Sequence, residues 1–128
     1  MPPKKAPSTP RGVISADPTA PIVHRSLFKA NKAFLNGVAF SIIVPVAGGA
    51  RWRARIKTAT GGGTLSAAYV RNVTGNAAYT SNNPANVAVV AGTENIMEED
   101  THMGESLLKL TFTPSADGTL TYLDFMGV

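Results

Sequence analysis

Cysteine is absent from this chain of 128 residues, which excludes a disulfide framework and a thiolate metal centre and leaves packing or association to stabilise the fold. Aromatic residues are sparse: one tryptophan, three tyrosines and five phenylalanines. No apolar run approaches the roughly 20 residues of a membrane-spanning helix, because the longest, Val38 to Ala47, is interrupted by Ser41 and Pro45. The opening MPPKKAPSTP has lysines but no apolar stretch behind them, a start that predicts a soluble protein made in a cytoplasm rather than a secreted one. Sustained helical periodicity is missing as well, since no window repeats apolar residues at helical spacing between caps.

What the chain does have is a division of labour. Residues 1–32 are basic and proline-rich, with Lys4, Lys5, Arg11, Arg25, Lys29 and Lys32 against Asp17 alone, or +5. Residues 33–128 carry six cations and seven acids, or −1, so the whole formal +4 sits in the first segment. Prolines at 2, 3, 7, 10, 18 and 21 each fix φ and remove a backbone donor, which keeps the start extended. Between Pro21 and Lys32, Ile22, Val23, Leu27 and Phe28 supply enough apolar surface for a short strand that pairs with a main sheet. The organisation predicted is an extended basic arm over 1–32 and one folded domain over 33–128, a size at which a small core gains from partners.

Beyond residue 33 the period becomes two. In Arg51-Trp52-Arg53-Ala54-Arg55-Ile56-Lys57 one face carries Trp52, Ala54 and Ile56 and the other four cations, as in a half-buried strand. The same alternation predicts strands near 37–44, 64–71, 86–91, 94–98, 106–113 and 119–126, with Leu108, Leu110 and Phe112 facing inward. Turn phrases separate them, among them Gly61-Gly62-Gly63, Ala91-Gly92-Thr93 and Ala116-Asp117-Gly118. The fold class is therefore all-β: an antiparallel sandwich of seven or eight strands, jelly-roll-like, with an N-terminal arm, an incomplete barrel being the alternative.

Catalytic chemistry finds little footing. His24 and His102 are the sole histidines, and neither stands in a nucleophile-elbow context, so no serine triad is expected. Gly61-Gly62-Gly63 lacks the following Lys-Ser/Thr of a phosphate cradle and is read as a hairpin loop. Glu98, Glu99, Asp100, His102 and Glu105 invite a metal, yet their spacing lacks the alternating ligands of a calcium-binding hand, and a solvated acidic turn is expected instead. Glu98 and Glu99 would point to opposite faces of a strand, a poor arrangement for cooperating acids. We expect no enzyme, no cofactor and no metal.

The cationic row is a better candidate. Arg51, Arg53, Arg55 and Lys57 repel one another along one strand face unless acids lie opposite. Glu94, Glu98, Glu99, Asp100 and Glu105 form a complementary acidic segment, within the chain or on another copy. Nucleic acid is the weaker alternative, because Trp52 alternates away from the arginines and no exposed aromatics interleave with them. The candidate partner-binding residues are Lys4, Lys5, Arg11, Arg25, Lys29, Lys32, Arg51, Arg53 and Arg55. A carbohydrate-binding sandwich using Trp52, Tyr69, Tyr79 and Tyr122 is a further alternative, although Trp52 faces inward.

The Ala/Gly/Thr/Asn-rich composition, the hairpin phrases Thr60-Gly61-Gly62-Gly63-Thr64-Leu65-Ser66 and Pro114-Ser115-Ala116-Asp117-Gly118-Thr119-Leu120-Thr121-Tyr122, and the arm before the sandwich give the chain a recognisable texture. It resembles small β-sandwich structural proteins of tailed bacteriophages, in particular head decoration or cement proteins. That resemblance implies a non-enzymatic virion protein that sits on or between major capsid subunits as a dimer or trimer and clamps the shell. Tail, neck and fibre proteins share the texture and are the alternative placement. No residue role is carried over by it.

Overall fold

The computed structural model describes residues 25–28, 30–46, 50–70, 83–101 and 107–128. Nine strands and no helix form among them: β1 (Arg25–Ser26), β2 (Lys32–Phe34), β3 (Phe40–Pro45), β4 (Arg51–Thr60), β5 (Gly63–Val70), β6 (Val87–Val89), β7 (Asn95–Asp100), β8 (Leu107–Pro114) and β9 (Gly118–Gly127). Alternation places them. On β4 Trp52, Ala54 and Ile56 are buried while Arg51, Arg53 and Arg55 face out, and on β8 Leu108, Leu110 and Phe112 are buried as their spacing predicts.

Pairing is nested. β5 pairs with β6, β4 with β7, β3 with β8, and β1 and β2 with β9, all antiparallel, so the chain is one long hairpin folded about the β5–β6 connection. Rolling that hairpin brings β9 against β4 and β8 against β5, closing two sheets of order β1-β9-β4-β7 and β3-β8-β5-β6. The first holds five strands in four positions, because β1 and β2 occupy successive stretches of one edge of β9. This is the jelly-roll form of the all-β antiparallel sandwich.

The core lies between the sheets. Trp52, Ile56, Leu120, Leu123 and Phe125 from one meet Val44, Leu65, Tyr69, Leu108, Leu110 and Phe112 from the other. Burying each such large side chain contributes about 1.5–3 kcal/mol. The described part of the stretch before residue 33 joins this core. Leu27 is buried and its N–H donates to the Leu123 carbonyl at 2.8 Å, so β1 pairs with the main sheet as predicted for this segment. Phe28, Phe34, Phe40 and Phe112 form an edge-to-face cluster, with ring centroids 5.1 Å apart for Phe28–Phe40 and 5.2 Å for Phe34–Phe112.

Two phrases read as hairpins are instead corners. β4 and β5 lie in different sheets, as do β8 and β9, and neither couple pairs. The turn signal is genuine, since Gly61 has φ of +77°, but one left-handed glycine does not make the two-residue turn that would return the strand beside itself. What fixes the corners is their contact with each other. A Cβ on Gly118 would stand 2.0 Å from the Thr60 carbonyl oxygen, and one on Gly61 2.7 Å from that of Asp117, so glycine alone lets the two backbones meet. Register shifts at Lys57/Thr58 and Thr58/Thr60 bend the β4–β9 ladder into the same region.

Candidate functional site

The cations of β4 stand along the outer face of their sheet, and the register of both neighbours brings acids to them. Arg51 lies opposite Asp100 and Arg53 opposite Glu98 on β7, while Arg55 lies opposite Asp124 on β9. Arg51 reaches Asp100 at 3.2 Å and Glu98 at 3.3 Å. The Arg53 Nε donates to the other oxygen of Glu98. Arg55 makes two looser ion pairs, Nε to Glu94 at 3.4 Å and Nη2 to Asp124 at 3.6 Å. Ser26 of β1 donates its hydroxyl to Asp124 at 3.0 Å, which ties the first strand into the same row.

The electrostatics follow from these contacts. The hydrogen bond from Arg53 holds the Glu98 carboxyl below the usual carboxylate range, with partial desolvation opposing it and Arg51 adding to it. Asp100, and then Glu98, hold Arg51 more firmly protonated than usual. Tyr122 is pushed up, first by burial and then by its hydrogen bond to Glu94. Three guanidiniums are thus matched to four carboxylates of the same chain. The acidic segment that the sequence set opposite the arginines is their internal partner at Glu94, Glu98 and Asp100. Asp124 was missed, although its alternation between buried Leu123 and Phe125 marks it as outward-facing.

Lys32 is held differently. Its Nζ stands 4.8 Å from the centroid of the Phe40 ring and 5.8 Å from that of Phe28, so the cation caps the phenylalanine cluster at the sandwich edge. Arg25 is placed by its backbone, opposite Phe125, and its side chain lies outside the described part. Lys4, Lys5, Arg11 and Lys29 lie outside the described residues, as do His24, Tyr79, His102 and Glu105. Among the described residues no three His, Cys, Asp or Glu side chains gather where they would hold a metal ion.

Two of the aromatic residues considered for sugar binding, Trp52 and Tyr69, serve the interior. Trp52 and Tyr69 are 0% exposed. Trp52 Nε1 donates to the Tyr69 hydroxyl at 3.1 Å, and that hydroxyl donates to the Asp100 carbonyl at 3.1 Å, a bridge from one sheet to the other. Nothing in the spacing of Trp52 and Tyr69 announces it, because it joins strands in different sheets. No protein-family model matches this sequence, and neither the curated proteins nor the solved structures show a significant match to it.

Proposed function

We propose that this protein is a non-enzymatic structural component of a virion, a capsid decoration or cement protein that binds neighbouring major capsid subunits through its basic N-terminal segment. One observation carries the reading: the sandwich satisfies its outward arginines internally, while the segment that holds the net +5 is anchored in it by backbone pairing at β1, by Leu27 and by Ser26–Asp124. A charged extension rooted in a rigid body is suited to holding an acidic neighbour, because pull on it is transmitted to paired strands rather than to a loose tether. A neutralised face offers phosphates no cationic groove, which argues against nucleic acid as the target of β4.

In this reading the protein is made in the host cytoplasm, resides on the capsid surface, needs no cofactor and works as a dimer or trimer. The test is quantitative detection of the chain in gradient-purified particles separated into heads and tails. Recovery with heads at fixed stoichiometry, weakened for a K4Q/K5Q/R11Q variant and by raised salt, is the expected result. Recovery with tails moves the protein to the tail, neck or fibre class, and absence from particles overturns the proposal.

A further inference from the structure

Two glycine turns touch at the end of the sandwich where the corners meet. Asn36-Gly37 is the one Asn-Gly pair of the sequence, and Asp117-Gly118 is its one Asp-Gly pair. The Asn36 N–H donates to Asp117 Oδ1 at 2.8 Å, and the Gly37 N–H donates to the Pro114 carbonyl at 2.9 Å. The Val38 N–H closes the turn on the Leu35 carbonyl at 3.1 Å, with Gly37 at a φ of +76°, where a type II turn requires glycine. The two pairs share a chemistry. A glycine nitrogen can attack the side-chain carbonyl carbon of the residue before it, because no Cβ obstructs closure of the five-membered ring.

The fold holds the two pairs differently. Gly118 lies in β9 opposite Phe34, and a Cβ on it would stand 2.0 Å from the Thr60 carbonyl oxygen, so its backbone is packed too tightly to turn toward the Asp117 side chain. A carboxylate is also a poorer electrophile than an amide. Gly37 stands in the open: a Cβ on it would meet nothing within 4 Å, and both Asn36 and Gly37 are exposed. Among the described residues the Asn36 side-chain amide makes no hydrogen bond, so it is free to approach the Gly37 nitrogen.

We propose that Asn36 is a self-modifying site, converting to aspartate and isoaspartate at a rate governed by the contact of its own N–H with Asp117. The Gly37 nitrogen loses its proton and bonds to Cγ of Asn36. The bond from Cγ to the side-chain nitrogen breaks, and that nitrogen leaves as ammonia with a proton in place of the one lost. The succinimide so formed takes up one water at either carbonyl, which leaves an aspartate or an isoaspartyl linkage at position 36. No cofactor or oxidant enters. In the closed turn the β8–β9 corner holds both N–H groups, so the nitrogen is presented only when the turn swings away from Pro114 and Asp117, a local opening rather than unfolding. The product places a carboxylate next to that of Asp117, and like charges resist closing again. Conversion therefore loosens the corner between Leu35 and Val38, whose side chains are 60% and 57% exposed. None of this depends on the virion reading.

The experiment incubates the full chain at mildly alkaline pH, folded and in urea, and follows it by peptide mapping that separates the two linkages. The expected result is isoaspartate with aspartate at position 36, Asp117 unchanged, and roughly tenfold faster conversion in folded Asp117→Ala, the factor for a lost hydrogen bond to a charged group. Hydrogen exchange supplies the second measurement: D117A should speed exchange at Gly37 while core amides such as Leu110 keep their wild-type rates. Aspartate without isoaspartate would mean hydrolysis that bypasses the Gly37 nitrogen and would overturn the proposal. So would folded wild type that stays intact while the chain in urea converts, reaction at Asp117 in its place, a D117A rate equal to wild type, or core amides that accelerate together with Gly37.

Discussion

The two sheets of the sandwich share one core and differ in what they show to water. The β4–β9 sheet turns out Arg51, Arg53 and Arg55 with Glu98, Asp100 and Asp124, whereas the β8–β5 sheet turns out Thr64, Ser66, Thr111 and Thr113 with a lone cation, Lys109. Hydroxyl side chains demand little of their neighbours, so that face tolerates its surroundings. Guanidiniums and carboxylates in a row demand a particular register, because a slip of one residue would send every charge to the core side. Charge on one face and its near absence on the other therefore have different meanings: the first specifies strand pairing, and the second leaves pairing to the buried residues.

The largest expected effect breaks both sheets at once. Trp52→Ala removes the largest side chain of the core together with its link to Tyr69, and should cost about 3–5 kcal/mol in chemical denaturation. Tyr69→Phe keeps the ring and removes only the bridging hydroxyl, leaving the Trp52 N–H and the Asp100 carbonyl without it. About 1–2 kcal/mol is the expected loss, and no loss would show that the bridge does not hold the sheets together. Gly118→Ala addresses the corners. Its Cβ would stand 2.0 Å from the backbone of Thr60, so the two corners must separate, at about 1–3 kcal/mol. An unchanged midpoint would mean that the corners are not in contact.

Much of this architecture was legible because alternation is local. The inward faces of β4 and β8 are written in Trp52-Ala54-Ile56 and Leu108-Leu110-Phe112, and no other period fits those runs. The corners were misread for the same reason: Gly61 and Gly118 announce a change of direction, and whether a chain returns beside itself or crosses to the facing sheet is decided by residues far away in sequence. The charge row was half legible. That acids must oppose the arginines follows from repulsion along β4, but the choice of Asp124 as partner to Arg55 depends on β9 lying next to β4, a pairing across some 70 residues that nothing near Arg55 encodes. Lys32 was read as a partner-binding cation of the basic arm, and its position over Phe28 and Phe40 exists only once β2 and β3 converge.

Exchanging single cations sharpens the contrast between the faces. Arg55→Leu removes the guanidinium beside Asp124, whose side chain is only 13% exposed, and leaves that carboxylate desolvated beside Ser26. About 1–2 kcal/mol is expected, less than for a fully buried pair because Arg55 itself is partly solvated. Lys109→Leu on the other sheet should stay within about 0.5 kcal/mol of wild type. Equal effects from the two would mean that the charged face is as indifferent to its cations as the hydroxyl face.

The smallest effect tests the sign of the charge row. Glu98 in the folded chain titrates below its unfolded value, mainly through the hydrogen bond from Arg53. Its stabilisation is therefore present above the unfolded carboxylate pKa of about 4.3 and is lost as pH falls through the lower folded value. Thermal midpoints of wild type and Glu98→Gln should accordingly differ near neutral pH and converge on acidification below the unfolded carboxylate pKa, with roughly 1 M salt narrowing the difference at neutral pH. Lys109→Gln, on the face where no carboxylate opposes the cation in register, should show no such convergence. If Glu98→Gln tracks wild type at every pH, the arginines of β4 draw nothing from β7, and the register of that sheet rests on its buried side alone, as it does in the other.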